Sequence, residues 1–181
     1  MEVSITTADI DDARDLFLLA KDRLLEVNDW NYSLKGNFRI SLTDAAGRKQ
    51  QRSARVGDML CISAGNNEGI GSEMWIYIRR IQYDFFPDIR SESISMLLET
   101  THSPSGNGTG KDNIQQETIL IKREGPTLTA HCNAGNELPE EDDDNPNAHL
   151  NRDIELHPVL SIPQHSLQQL LSDLIEDTGE A

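Results

Sequence analysis

Apolar residues recur at Ile10, Ala13, Phe17, Ala20, Leu24 and Val27 in alternating steps of three and four, the spacing that lays one stripe along a helix. The pattern predicts a helix over 8–28, its stripe widened by Leu16 and Leu25. Thr6 with Asp9 fits a capping pattern, and Asp9, Asp11 and Asp12 suit the positive end of the helix dipole. From residue 38 the period drops to two. FRISLTD (38–44) alternates, with Phe38, Ile40 and Leu42 on one face. VGDMLCISA (56–64) and SISMLLETTH (93–102) also read as strands, and QETILIKR with TLTAHCNA, joined by EGP, as a hairpin. EMWIYIRRIQYDFF (73–86) is the longest strand candidate. Strict alternation puts Trp75, Tyr77, Arg79, Ile81, Tyr83 and Phe85 on one face, while Met74, Ile76 and Ile78 begin the other. Apolar groups on both faces predict a central strand, covered on both sides at its start.

A helical period returns at the end of the chain, where Leu167, Leu170, Leu171, Leu174 and Ile175 form one face. Ser161 with Gln164 makes a capping box, Pro163 falls in the first turn, and Gly179 marks the end. The order is helix, about six or seven strands, helix. Its hairpin-length connections leave no room for crossover helices, so an antiparallel sheet in an α+β fold is expected. A length of 181 residues fits one domain over 1–181. Flexible loops are expected at about 103–115 (SPSGNGTGKDN and its flanks) and 136–151.

Charge changes the picture most in the last third. The net charge is −15, yet residues 131–181 hold 12 acids and one base, Arg152, a net of −11. A negative surface repels phosphate backbones and anionic lipid, so neither nucleic acid nor membrane is an expected partner. A basic protein partner is compatible with it. Six carboxylates crowd Glu137–Asp144. Read as a calcium loop from Asp143, that segment puts Ala148 where Gly is needed and Ile154 where the bidentate Glu belongs. A solvated connector is expected there, and no metal.

Other candidate chemistry weakens on the same kind of inspection. SGNGTGK (105–111) lacks the first Gly and the hydroxyl of a phosphate-binding loop, and it leads into a strand. The histidines 102, 131, 149, 157 and 165 form no local metal spacing, and GxSxG is absent. No catalytic residue and no cofactor is predicted. Cys61 and Cys132 sit in alternating apolar runs, outside any CxxC motif, and are expected as buried free thiols. Arg48, Lys49, Arg52 and Arg55 read as a solvated hairpin edge whose charge discourages strand pairing. The first residues lack the basic and apolar regions of a signal peptide, and no apolar run approaches a membrane span of ~20 residues, so a cytoplasmic location is expected.

MEVSIT, the 8–28 helix with NDW after it, the successive strands and the 161–178 helix together resemble the START/polyketide-cyclase-like helix-grip domains. The resemblance covers most of the chain as a pattern, without a specific motif. It implies a curved antiparallel sheet of about six or seven strands, with an N-terminal and a C-terminal helix packed on it. It also implies a cavity for an apolar small molecule between sheet and C-terminal helix. Trp75, Tyr77 and Arg79 on the long strand, with Leu170 and Leu174 on the last helix, are the expected ligand-binding wall. RVGDMLCISAGNNEGIGSEMWIYIRRI alternatively looks like part of a small β-barrel with flanking helices.

Overall fold

A computed structural model describes residues 1–34, 38–64, 73–104, 114–134, 159–160 and 162–177. The chain opens on strand β1 (Glu2–Thr6) and turns into helix α1 (Ile10–Leu25). Asp9 is the N-cap, its carboxylate accepting from the Asp12 amide at 2.8 Å, which satisfies one donor that a helix start leaves orphaned. Thr6, the expected partner in that cap, belongs to β1 instead. Ala13, Leu16, Phe17, Ala20 and Leu24 form the buried stripe. A 3₁₀ segment, Val27–Tyr32, then carries the chain on and buries Val27 and Trp30.

Six more strands follow: β2 (Phe38–Thr43), β3 (Met59–Ala64), β4 (Met74–Phe86), β5 (Ser91–Thr101), β6 (Gln116–Glu124) and β7 (Thr127–Ala134). Helix α2 (Gln164–Ile175) closes the described chain. Its N-cap is Pro163 with no side-chain cap, so it starts later than the capping box implied. The strands form one sheet in the order β1-β7-β6-β5-β4-β3-β2, every pair antiparallel. The fold is α+β, with a curled sheet and a helix from each end of the chain, as the sequence implied. Because β1 and β2 are opposite edges, the sheet stays open and the small-barrel alternative does not form. The loops expected at about 103–115 and 136–151 fall largely outside the described residues, as do SGNGTGK and the acidic run.

Both helices bury their stripes on the same sheet face. Phe17, Leu24 and Trp30 share one core with Ile40, Leu60, Ile76, Ile94, Ile119 and Leu128 of the sheet and Leu167, Leu171 and Ile175 of α2. A β-bulge breaks the simple alternation of β4. Ile78 pairs with Leu98 and Arg80 with Leu97, leaving Arg79 as the extra residue. A bulge puts two residues against one and so reverses which phase faces the core. Ile76 and Ile78 face the helices before it, whereas Ile81 packs against the core after it. The single aromatic face expected for Trp75, Tyr77, Tyr83 and Phe85 is therefore split in two.

The 3₁₀ segment seals the β2 edge with two asparagines. Asn31 donates to the Ile40 carbonyl at 2.7 Å and accepts from the Ile40 amide at 2.9 Å, as an eighth strand would. Asn28 accepts from the Leu42 amide at 2.9 Å, and the Gln50 amide donates to the Leu42 carbonyl. Three residues of 3₁₀ helix rise about 6 Å, and two residues of strand span about 6.7 Å. The Asn28–Asn31 interval thus matches the Ile40–Leu42 interval.

Replacing Asn31 with Ala leaves both Ile40 backbone groups without this partner. Urea unfolding of Asn31→Ala is expected to show a loss of about 1–3 kcal/mol, several times the change at an exposed polar site such as Gln168→Ala.

Candidate functional site

Where the C-terminal end of α2 meets α1 and the 3₁₀ segment, the described residues enclose a groove of about 330 Å³. Trp30, Leu170 and Leu174 give it an apolar floor, and Asp22, Glu26, Asp29 and Asp173 a carboxylate rim. Helical spacing puts three of these acids together. Asp22 and Glu26 are four residues apart, and Asp29 is three further on, past the start of the 3₁₀ segment. Asp22 and Asp29 are exposed, whereas Trp30 is buried and donates its indole N–H to the Arg23 carbonyl at 3.2 Å.

Arg23, the one basic residue in the lining, is committed to structure. Its guanidinium donates to the carbonyls of Asp173, Leu174 and Glu176 at 3.2, 3.3 and 2.7 Å. These are carbonyls that a helix C-terminus leaves without intrahelical donors, and a cation suits that negative end. Glu26 accepts from the Ser53 hydroxyl, and Gln169 donates to Asp173 at 2.8 Å. The rim keeps four carboxylates against one engaged guanidinium. Among the described residues no three His, Cys, Asp or Glu converge closely enough to hold a metal ion. The arrangement suits a spread positive charge on an apolar stem.

Leu170 and Leu174 of the expected wall line this groove, but Trp75, Tyr77 and Arg79 do not join them. Trp75 and Tyr77 alternate with the core residues Ile76 and Ile78 and so occupy the sheet face away from the helices. Trp75 packs beneath the turn at Gly47: a Cβ there would stand 3.6 Å from its ring and 3.1 Å from Pro104. Gly47, at φ +83°, meets that approach without strain. Arg79, exposed in the bulge, lies 3.7 Å from the partly buried Glu99. Two of the four residues in the basic cluster are likewise paired, Arg48 with Asp44 at 3.0 Å and Arg52 with Asp58 at 2.6 Å.

Two buried polar groups escaped the sequence reading. On the helix-facing side of the sheet, Arg123 donates to Glu92 at 2.6 Å and to the carbonyls of Arg90 and Gly125 at 3.2 and 3.0 Å. Both side chains are buried, and Tyr83 donates to the second Glu92 oxygen at 3.2 Å. Burial and the Glu92 charge push the Tyr83 hydroxyl above its ordinary pKa. Nearer the other end of β6, the Cys132 thiol donates to the buried Glu117 carboxyl at 2.6 Å. The signal lay in the alternation itself. Glu117, Ile119, Ile121 and Arg123 share one phase of β6, so charged groups stand at both ends of an apolar row.

His131, one of the histidines outside any metal spacing, is half-buried beside Glu2 at 3.4 Å. Burial there holds its pKa below the ordinary imidazole value, against the opposing pull of Glu2. No described helix is long and apolar enough to cross a membrane. The chain matches no family model, no curated protein and no solved structure.

Both cysteines are free thiols, Cys132 buried as expected and Cys61 only partly so. Burial pushes Cys61 up to about 11, and burial with the Glu117 charge holds Cys132 well above its ordinary value. The thiolate is the reactive form, so at pH 8 Cys61 carries roughly a hundredfold less of it than an ordinary cysteine. In the native protein, exchange of Cys61 with Ellman's reagent is expected to be slower by about tenfold or more, since the higher nucleophilicity of a high-pKa thiolate offsets part of its scarcity. Denaturant should release both thiols; rapid native labelling would contradict this environment.

Proposed function

We propose that the protein is a non-enzymatic, cytoplasmic binding module of the helix-grip type. Its ligand is a cationic segment with apolar stems, carried by a basic protein partner and held where α2 meets α1 and the 3₁₀ segment. The carrying observation is the groove's composition: a Trp30–Leu170–Leu174 floor beneath Asp22, Glu26, Asp29 and Asp173, with Arg23, the only lining cation among the described residues, used to fix α2. Lysine and arginine have that complementary form, a long apolar stem ending in a charge. The net charge of −15 adds long-range attraction for such a partner and speeds its encounter.

An apolar small molecule is the second reading, and the same floor favours it. Leu170 and Leu174 belong to the expected ligand wall and touch the groove. The rim favours the first reading. An uncharged ligand would use the floor alone, whereas a cationic stem uses floor and rim together, above all the exposed Asp22 and Asp29.

The test is titration of the ¹⁵N-labelled protein with a synthetic heptapeptide alternating lysine and leucine. Shifts are expected at the Trp30 indole and the Ser33 amide. Binding should weaken roughly two- to tenfold in the Asp22→Asn/Asp29→Asn double variant, and further as salt rises from about 50 to 300 mM. Saturable shifts at the same signals with a neutral fatty acid, and none with the peptide, would favour the apolar ligand. No response to either would remove the groove as a binding site.

A further inference from the structure

The two edges of the sheet are treated in opposite ways. The β2 edge is sealed at Ile40 and Leu42 by Asn31, Asn28 and Gln50. Among the described residues the β1 edge is open. Met1 exchanges hydrogen bonds with Cys132, and the Thr7 amide donates to the Pro126 carbonyl, so the odd-numbered backbone groups of β1 turn towards β7. Alternation then turns the amides and carbonyls of Glu2, Ser4 and Thr6 outward. Among the described residues none of these outward groups meets a partner. The strand also lacks the usual protections of an edge, having no proline, no lysine and a regular register with β7.

Among the described residues this edge is also poor in charge. On the face away from the helices, Ser4 bonds to Thr129 at 2.9 Å and Thr6 to Thr127 at 3.0 Å, a row of neutral hydroxyls. On the other face α2 lies against β1 and β7. Its exposed residues Gln164, His165, Gln168 and Gln169 include no acid and no lysine or arginine. Glu2 is the one formal charge on the strand, and it already faces His131. Two copies carrying −15 each can approach only where neither presents that charge.

We propose that the β1 edge binds a second copy of this chain, strand to strand and antiparallel about Ser4, making one continuous sheet through both molecules. The strand is its own complement in that register. Ser4 faces Ser4 of the second copy, and Glu2 faces its Thr6, so no carboxylates oppose. The half-buried Val3 meets Ile5 on the helix side. The outward groups of three residues per copy supply about six main-chain hydrogen bonds. Closure about a two-fold axis consumes both open edges, so assembly stops at two.

Sedimentation velocity on the full chain, from about 1 to 200 µM in physiological salt, tests this. The mass should rise from 20.2 kDa towards twice that value with concentration. Ser4→Pro removes an outward donor and no main-chain bond to β7, losing there only the hydroxyl contact with Thr129, so it should weaken the dimer at least about tenfold while leaving the circular dichroism spectrum unchanged. Ser4→Lys sets two ammonium groups opposite one another across the axis and should weaken it similarly, with partial recovery in high salt. If Ser4→Pro fails to fold, Ser4→Lys decides. A wild-type chain that stays monomeric throughout overturns the proposal, and so does a dimer that Ser4→Lys leaves unchanged.

Discussion

Consecutive strands β1 and β2 stand at opposite edges of one seven-stranded sheet, and the chain between them must cross its whole width. Six strand spacings amount to about 29 Å along the sheet. The 16 residues of α1 supply about 24 Å, and the 3₁₀ segment about 12 Å more. The crossing element therefore has to be a long helix with a short extension. It must also present one apolar stripe, because it lies over the sheet face it covers. The stripe of Ala13, Phe17, Ala20 and Leu24 meets that demand. The far end of the crossing arrives beside β2, which is why Asn28 and Asn31 are placed to bond its edge. The groove has the same origin, since it opens where the end of the crossing runs past α2.

Charge inside the core follows from the sheet's shape. The Arg123–Glu92 pair is buried, and a buried pair is costly to desolvate unless its remaining donors and acceptors are met. Here Arg123 also holds the carbonyls of Arg90 and Gly125, one in the β4–β5 turn and one in the β6–β7 turn. Arg90 itself sits at φ 53°, a left-handed conformation that costs a side-chain-bearing residue some strain. One guanidinium thus ties together two turns that project from the same end of the sheet. Its contribution is to fix their geometry rather than to add net stability.

The elements were legible in the sequence wherever one period ran uninterrupted. The α1 stripe, the alternation of β2, β3 and β5–β7, and the leucines of α2 all read directly. The aromatic wall did not, because the Arg79 bulge inserts a single residue into a polar stretch where alternation leaves no trace of a slip. Trp75 and Tyr77 therefore went to the outer face, while Tyr83 went to the helix side against Phe17. The groove was half legible. Leu170 and Leu174 were in the expected wall, but Asp22, Glu26 and Asp29 looked like the solvated side of a helix. Only the arrival of Asp173, some 150 positions later and held by Arg23, makes them a rim. Contacts between residues so distant leave no local pattern.

The central claim is that the crossing leaves the two edges unlike, with β2 sealed by asparagine side chains and β1 open. Residue-resolved hydrogen exchange tests it most directly, run at a concentration low enough to keep single chains. The Ile40 and Leu42 amides should exchange slowly, as if inside the sheet, while those of Ser4 and Thr6 exchange close to the rate of an unprotected backbone. Equal, rapid exchange at all four amides would contradict the account.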